Sequence, residues 1–464
     1  MGDRARNGSC RHSGALLEPL GTGCMGPLLR ENRRDAGSGI MSPVAQRYVV
    51  IVDPYSSGSL FAREFESSGC KVIAVLSSVE PPDVYAASYR PSDFERVCVA
   101  DSEDLGPLLD TLRNYLPLCV LAGCESGVEL AEQLAPLLVP ECANTVDLAA
   151  ARRDKGVMAQ AAVESGVAMM KQICTDDFSL VQDWLLRSGL AGRSLVVKPP
   201  KSASTDGVVR VDDESGLKQA FDALLGQPNR LGIINDRVLI QEYLSGTEYV
   251  VDTFSHGGTH TLCSVCKYTK LEHATGMAIY DRMDWVSPED AVVEPLMDYA
   301  QEVLNALGIH WGNAHIEIMQ TRDGLRLVEV GARPHGGGHP RLCFQATGDS
   351  QIHRSVNYFA HSIVPGRRYT LLKNMTVVFF RALAPSVVRG VARLHALAQL
   401  SSCLDTSIQV QDQQAVPATR DLFATLALGF VVLAHSDPRQ LEKDVIAVRQ
   451  AEKAVFQSLE QGAA

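Results

Sequence analysis

Two acidic residues flank a short turn in the second half of the chain. The segment HIEIMQTRDGLRLVEVGAR, residues 315–333, has the pattern of two strands joined by T-R-D-G, and the strands carry Glu317 and Glu329. A three-residue loop ending at Gly324 would set the two carboxylates opposite each other on one face, whereas a two-residue Asp-Gly turn would set them on opposite faces. Opposed carboxylates repel unless a cation lies between them, and Mg²⁺ prefers carboxylates with phosphate oxygens and water. The pattern favours a magnesium site, and a solvent-facing polar hairpin is the alternative.

Two lysines occupy positions where a nearby anion would stabilise their charge. Lys155 lies near the start of a predicted helix, and Lys198 ends the apolar strand LVVK just before two prolines. A lysine at the end of a buried strand is costly without an anionic partner. The loop that follows, KSASTDG, is rich in small hydroxyl residues and ends at Gly207, and such a loop presents N–H and hydroxyl donors to phosphate oxygens. These residues indicate a phosphate site, with a solvated Lys155 and an ordinary loop as the alternatives.

The segment YVVIVDPYSSGSLFAREF, residues 48–65, has the strand, turn and helix of a nucleotide-binding α/β domain. The strand is uniformly apolar, as a strand buried on both faces requires. The turn holds only Gly58, whereas a dinucleotide site needs G-x-G-x-x-G. Three more strands alternate with helical segments up to about residue 145, which predicts a parallel sheet. On these residues alone, the choice between a dinucleotide site and a plain first turn stays open.

Composition narrows the class of protein. A chain of 464 residues is expected to form about two to four domains. The net charge of −11 argues against nucleic acid or an anionic membrane surface as a partner, because both need a basic face. No run approaches the roughly 20 apolar residues of a membrane span. The 12 cysteines are scattered except for Cys263 and Cys266, which favour two thiols in a strand over a metal or redox pair. This usage predicts a cytoplasmic protein.

Changes in pattern predict the domain boundaries. Residues 1–45 lack periodicity and are expected to be a disordered extension; the alternative is that residues 1–40 are an upstream extension of a chain that begins at Met41. An N-terminal α/β domain is predicted for residues 46–145. A second domain follows over residues 146–375, with a smaller lid subdomain near 190–250. Residues 376–464 are expected to form a C-terminal α+β subdomain that ends in a helix.

The motifs in their order resemble the ATP-grasp superfamily. The matching segments are D-K at 154–155, V-V-K at 196–198, the loop to Gly207, Q-E-Y-L-S-G-T-E at 241–248, I-E-I at 316–318 and V-E-V-G-A-R at 328–333. V-E-V-G-A-R-P-H-G-G-G-H and T-G-D at 347–349 are similar to the branch of carboxylate–amine ligases that contains the L-amino acid ligases, which make dipeptides. The resemblance implies an α/β and α+β multidomain protein: an ATP-grasp fold with an N-terminal doubly wound α/β (pre-ATP-grasp) domain. That domain helps to hold substrate in this superfamily, so no dinucleotide site is expected.

The resemblance also implies roles for individual residues. The residues implied for ATP binding are Lys155, Lys198, Ser202, Ser204, Gly207, Glu242, Tyr243, Leu244 and Glu248. Glu317 and Glu329 would hold Mg²⁺, with Mn²⁺ as a substitute. Arg333 would act with Lys198 in catalysis by stabilising the acyl phosphate and the tetrahedral intermediate. Many ATP-grasp enzymes carry asparagine where this chain has Gly331, a position that is often small in the dipeptide-forming branch, so the usual binding of both metal ions stays open.

The organic substrates are expected to be a small carboxylic acid and an amine, both of them amino acids. The candidate substrate-binding residues are Glu125, Lys267, His273, Arg333, His335, Gly336, Gly337 and His339. Glu125 could receive an ammonium group, or it could simply lie at the positive end of a helix dipole. The glycines would let backbone N–H groups approach a carboxylate, while the two histidines could instead be exposed.

Other functions remain as alternatives. One is a ligase for a non-proteinogenic acid in the biosynthesis of a peptide natural product. A biotin-type carboxylase is disfavoured because no A-M-K-M carrier motif is present. A nucleotide-binding regulatory protein without catalysis is disfavoured because the lysines, glutamates and arginine of the site are all retained. A homodimer is a further expectation from the resemblance.

Overall fold

The computed structural model describes residues 46–203, 205–271 and 279–458. The predicted disordered extension, Ser204 and His273 lie outside the described residues. No helix in the described residues is long and apolar enough to cross a membrane.

The secondary structure alternates strands and helices in its first part and is richer in strands later. The strands are β1 (Arg47–Val52), β2 (Cys70–Leu76), β3 (Arg96–Val99), β4 (Val120–Ala122), β5 (Gln172–Thr175), β6 (Leu195–Lys198), β7 (Val209–Val211), β8 (Val238–Glu242), β9 (Thr247–His256), β10 (Thr259–Leu271), β11 (Ile279–Trp285), β12 (Gly312–Thr321), β13 (Gly324–Gly331), β14 (Asn374–Phe379), β15 (Ser386–Val388), β16 (Cys403–Ile408), β17 (Ala415–Val416), β18 (Gly429–His435) and β19 (Phe456–Ser458). The helices are α1 (Leu60–Ser67), α2 (Gly106–Arg113), α3 (Val128–Leu138), α4 (Lys155–Glu164), α5 (Phe178–Ser188), α6 (Glu214–Leu224), α7 (Val293–Ala306), α8 (His339–Thr347), α9 (Gln351–His361), α10 (Ala392–His395), α11 (Leu422–Leu426) and α12 (Pro438–Val455).

The first four strands form a parallel sheet in the order β3-β2-β1-β4. The continuous apolar run of β1 is buried on both faces, as a parallel strand between helices requires. One face packs on α2 and α3, and the other packs on α1 and α9. The parallel N-terminal sheet predicted from the sequence is confirmed.

A sheet of eight strands, in the order β13-β12-β9-β10-β11-β14-β18-β16, forms the centre of the molecule. Helix α7 packs on one of its faces through a fully buried apolar cluster. Strands β14, β16 and β18, which come from the last part of the chain, extend this sheet. The segment after residue 375 therefore shares a sheet with the segment before it.

A smaller sheet, β5-β8-β6-β7, is covered by α5 and α6 through its own apolar cluster, and we call it the lid sheet. The sequence predicts β8 and β9 as a pair of strands around a turn. The structure separates them, because β8 pairs with β5 and β6 while β9 pairs with β10 and β12. The short connection between β8 and β9 thus joins the lid sheet to the eight-stranded sheet.

The hairpin β12–β13 sets Glu317 opposite Glu329 as predicted, but the predicted turn is not the cause. Its turn contains two residues, since Thr321 pairs with Gly324, so the predicted three-residue loop is wrong. A regular ladder from this turn would set Glu317 opposite Val328. A bulge between Glu317 and Ile318 shifts the register by one residue, and Glu317 then pairs with Glu329. The two carboxylates face each other as expected because of the bulge and not because of the turn.

Candidate active site

A cavity of about 450 Å³ is lined by loops of the N-terminal sheet, by the lid sheet and by one face of the eight-stranded sheet. The strand register explains why its floor is charged. Residues paired across neighbouring strands point to the same face, and a step of two along a strand keeps that face. One face of β9, β10, β12 and β13 carries Glu248, Asp252, Tyr268, Lys270, His315, Glu317 and Glu329.

Glu317 and Glu329 lie on this floor with a cation next to each. The Lys155 ammonium is 3.3 Å from Glu329 and donates a hydrogen bond to the carbonyl of Ser202 at 3.0 Å. The His315 Nε2 lies 3.3 Å from Glu317. Burial alone would raise the pKa of Glu317, but the hydrogen bond with His315 and the nearby charges of His315, Lys270 and Lys198 together hold that pKa below its ordinary value. Glu317 is therefore charged at neutral pH, and with Glu329 opposite it the hairpin can hold a metal ion.

Lys198 lies at the end of β6 and lines the cavity. It is 4% exposed, and among the described residues its ammonium has no hydrogen-bond or ion-pair partner. Burial, together with the nearby charge of Lys155, lowers its pKa to about 8, although Glu329 opposes this shift. A buried ammonium without a partner is unfavourable, so an anion in the cavity would stabilise it.

Arg333 joins the hairpin to the N-terminal domain. Its Nε donates to Glu125 at 2.9 Å, and Arg153 lies 3.3 Å from the other oxygen of Glu125. A Cβ on Gly331 would lie 2.9 Å from the Arg333 guanidinium carbon. The space that a side chain at position 331 would occupy is therefore taken by Arg333, which gives a physical reason for the glycine that departs from the common asparagine.

A buried carboxylate, Asp252, organises three histidines next to the charged centre. Its oxygens lie 3.0 Å from the Nδ1 of His315, 3.0 Å from that of His335 and 3.3 Å from that of His339. An ionised carboxylate only accepts, so the Nδ1 of His315 and that of His335 donate to it, whereas His339 lies close to it without a hydrogen bond. The Tyr268 hydroxyl then donates to the Nε2 of His335. Burial lowers the pKa of His335 to about 4, so this histidine is neutral and serves to hold its loop on the sheet.

The glycine-rich loop after Arg333 contacts the first turn of the N-terminal domain. The N–H of Gly337 donates to the Ser56 hydroxyl at 3.0 Å, and the N–H of Gly338 donates to the Ser57 hydroxyl at 2.9 Å. These two N–H groups are thus occupied by hydroxyls, whereas the sequence predicts that such groups approach a carboxylate. The serine hydroxyls line the cavity and can donate to a ligand in their place.

The connection between the lid sheet and the eight-stranded sheet supplies one end of the cavity. Gln241, Glu242, Tyr243 and Leu244 line it. The Glu242 carboxylate accepts from the backbone N–H of Lys171 at 3.0 Å, which fixes the strand end. Glu248 is buried and forms an ion pair with Lys270 at 2.8 Å.

The remaining predicted residues divide between the cavity and its surroundings. Ser202, Gly336, His335 and His339 line the cavity. Gly207 lies in the loop but not on the cavity wall; its positive φ of 69° shapes that loop.

The structure places Lys267 outside the cavity, as an exposed side chain on β10. Side chains alternate along a strand, so Tyr268 and Lys270 point into the cavity and Lys267 points away. No sequence motif marks Tyr268 and Lys270 as site residues, although the alternation K-Y-T-K contains the signal. Asp252, Ser56 and Ser57 carry no motif either and are brought to the site by tertiary contacts.

Known proteins resemble this chain in sequence. Residues 192–340 match the ATP-grasp domain family. Dapdiamide A synthase of Enterobacter agglomerans is 32% identical over 315 residues, covering 68% of this chain and 73% of that protein. D-alanine–D-alanine ligase of Actinobacillus succinogenes is 30% identical over 154 residues, covering 32% of this chain and 47% of that protein.

Solved structures share the fold. The L-amino acid ligase from Bacillus licheniformis superposes with a TM-score of 0.64 and 16% identity, over 88% of this chain and 98% of that chain. N5-carboxyaminoimidazole synthetase from Staphylococcus aureus, complexed with ADP, superposes with a TM-score of 0.61 and 14% identity, over 87% of this chain and 96% of that chain.

The fold and the charged cavity between its sheets define an ATP-grasp enzyme. The chain belongs to the ATP-grasp family of carboxylate–amine ligases. It is an ATP-dependent enzyme that forms a C–N bond between small-molecule substrates, with Mg²⁺ as its metal. The ammonium of Lys198, which has no partner in the described part of the chain, and the facing carboxylates of Glu317 and Glu329 fit a nucleoside triphosphate and its metal ion.

Proposed function

We propose that the enzyme joins the carboxylate of one amino acid to the amine of an L-amino acid, with a dipeptide, ADP and phosphate as products. The observation that carries this proposal is the ion pair between Arg333 and Glu125 beside the charged centre. A guanidinium next to a carboxylate matches the carboxylate and ammonium groups that an amino acid presents. Glu125 would receive the ammonium group, and Arg333 would contact the reacting carboxylate.

The nucleotide would lie between the lid sheet and the floor of the cavity. Lys155 and Lys198 would neutralise its phosphates as point charges. The loop that contains Ser202, Ser204 and Gly207 would cover the phosphates. The adenine would lie along Glu242, Tyr243 and Leu244, and the ribose near Glu248. Glu317 and Glu329 would hold Mg²⁺, and the bound ion would supply positive charge against the phosphates.

The reaction would proceed in two steps. An oxygen of the substrate carboxylate attacks the γ-phosphorus, the bond to the β-phosphate oxygen breaks, and ADP leaves with that electron pair. The amine then attacks the acyl carbon, and phosphate leaves after the tetrahedral intermediate collapses and the nitrogen loses a proton. Arg333 would stabilise the oxyanion of this intermediate. Because acyl phosphates hydrolyse readily, the lid must exclude water while the intermediate is present.

The likeness to dapdiamide A synthase favours a second candidate. In this alternative the carboxylate belongs to a non-proteinogenic acid, and the product is an amide in the biosynthesis of a peptide natural product. The residues and the two steps stay the same, and only the acid differs.

A matrix of substrates tests both candidates. The purified protein is incubated with ATP, Mg²⁺ and pairs of L-amino acids, with phosphate release as the screen and mass spectrometry of the products. A product whose mass equals both substrates minus water establishes the dipeptide ligase. If no pair releases phosphate, dipeptide formation is rejected, and the same assay with non-proteinogenic acids tests the second candidate.

A further inference from the structure

The cavity continues beyond the charged centre into a region with mainly apolar walls, which we call the apolar arm. Its walls are Met283, Leu342, Val377, Phe379, Leu422, Leu426 and Phe430. These residues come from β11, β14 and β18 and from the helices α8 and α11. Polar neighbours that also line the cavity here are Ser407, which pairs with Phe430 across β16 and β18, and Arg230, whose guanidinium lies 4.1 Å from the ring of Phe423 on α11.

The apolar arm and the charged floor lie on the same face of the eight-stranded sheet. Tyr268 pairs with Met283, Met283 pairs with Val377, and Phe379 pairs with Phe430, so all of these side chains point to one side. This face is charged over β13, β12, β9 and β10 and becomes apolar from β11 onward. The change of character follows the order of the strands across the sheet.

The apolar arm is distinct from the end of the cavity expected to hold adenine. The apolar residues at that end are Met170, Val196, Leu244, Met319 and Val328, which belong to the lid side and to β12 and β13. The strand order places β11 three strands from β12. At about 4.8 Å per strand, the arm begins about 14 Å from the strand that carries Glu317. A nucleotide whose base lies at the first end does not fill the arm.

A row of aromatic rings leads from the charged centre into the arm. The ring centroids are 5.1 Å apart for Tyr268 and Tyr280, 6.2 Å for Tyr280 and Phe379, and 6.3 Å for Phe379 and Phe430, each pair edge to face. The Tyr268 hydroxyl, at the polar end, bonds His335. Packed rings of this kind form a rigid wall, so the arm is a preformed pocket.

We propose that the apolar arm binds a branched aliphatic or aromatic side chain of one of the two substrates, and that the enzyme therefore selects an apolar L-amino acid. This inference rests on the proposed function. Most of the wall of the arm offers no partner to a charged or strongly polar side chain, which would lose water there. A small side chain would leave the wall uncovered and forgo the favourable burial of apolar surface.

Binding measurements with the wild-type protein and a filled variant test the arm. Leu426 on α11 is half-buried, so Leu426→Trp would fill the arm, and the exposed Leu383→Trp is the matched control. Calorimetry in the presence of Mg²⁺ and ADP compares L-leucine, L-phenylalanine, L-alanine and L-aspartate. We expect the two apolar amino acids to bind at least about 10-fold more tightly than alanine. Leu426→Trp should abolish this preference and leave ADP affinity unchanged, whereas Leu383→Trp should keep both.

The outcomes separate the arm from the ligase reaction. Three outcomes would contradict the proposal that the arm binds an amino acid side chain. They are equal affinity for all four amino acids, no binding of any of them, and full selectivity in a folded Leu426→Trp protein. If Leu426→Trp does not fold, Leu426→Ala enlarges the arm and should shift the preference toward L-tryptophan; an unchanged preference would count against the arm. Selective binding without phosphate release would support the arm and reject amino acid ligation. Turnover without selectivity among the amino acids would support amino acid ligation and reject the proposed role of the arm.

Discussion

Glu329 lies opposite Glu317 and forms an ion pair with Lys155. Replacing its carboxylate by an amide keeps the shape of the side chain and removes a charge that a metal ion requires. We expect Glu329→Gln to lower kcat at least about 100-fold, since the charge that a metal supplies is worth several kcal/mol in such a reaction. The circular-dichroism spectrum and melting temperature should stay near those of the wild type.

The exposed Glu302→Gln on α7 is the matched control and should keep full activity. Phosphate release under saturating ATP is the measurement. A Glu329→Gln enzyme that turns over at the wild-type rate would reject the assignment of this carboxylate to the metal.

Lys198 makes nucleotide binding depend on pH. Its pKa of about 8 in the free protein means that about half of the molecules lack the proton at pH 8. Phosphate oxygens favour the charged lysine, so ATP binding at pH 8 should take up about half a proton and should weaken as the pH rises further.

Calorimetry in buffers of different ionisation enthalpy measures this uptake. Lys198→Met should remove it, whereas Lys201→Met, three residues along and outside the cavity wall, should not. Proton uptake that is the same in all three proteins would assign the titration to another group.

At the scale of elements, the turn after β1 is packed against the turn after β4. A Cβ on Gly58 would lie 2.4 Å from the backbone of Gly123, which no rearrangement of a side chain can relieve. Gly58→Ala should therefore displace the turn that carries Ser56 and Ser57. Because those hydroxyls hold the glycine-rich loop of the site, we expect kcat/KM for the organic substrates to fall, by up to about 100-fold.

The KM for ATP should change little in Gly58→Ala, because the nucleotide residues lie on other elements. Gly366→Ala is the control, since a Cβ there meets its nearest neighbour at an ordinary 3.7 Å. Steady-state kinetics with each substrate varied in turn gives the comparison. An equal loss for ATP and for the organic substrates would show that the turn acts on the whole fold.

At the scale of the whole molecule, the C-terminal segment is part of the central sheet. Strand β14 pairs with β11, and Arg381 forms ion pairs with Asp281 and with Glu452 at the far end of α12. A fragment that ends at residue 373 would expose the edge of β11 and the aromatic wall of the cavity. We expect this fragment to be insoluble or to lack a cooperative melting transition.

Expressing two fragments side by side, residues 46–373 and residues 46–458, tests this expectation. Thermal melts are recorded for any soluble product. A soluble short fragment that binds ATP would identify the C-terminal segment as an independent domain. The domain boundaries, the homodimer and the cytoplasmic location remain predictions.

The sequence alone determined the family, the parallel N-terminal sheet and the presence of the acidic hairpin. These depend on local patterns: apolar runs, helical spacing and short motifs whose residues are neighbours in the chain. It also indicated that Lys198 needs an anion, because a lysine at the end of a buried strand is costly wherever the chain goes next.

The tertiary structure decided which residues meet. The bulge in β12–β13 sets Glu317 against Glu329, and no local signal in the turn predicts it. Asp252, Ser56 and the apolar arm reach the site from separate elements, because side chains on neighbouring strands share a face only after the strand order is known. Lys267 and Lys270 are three residues apart on one strand, yet alternation of side chains sends only Lys270 into the cavity.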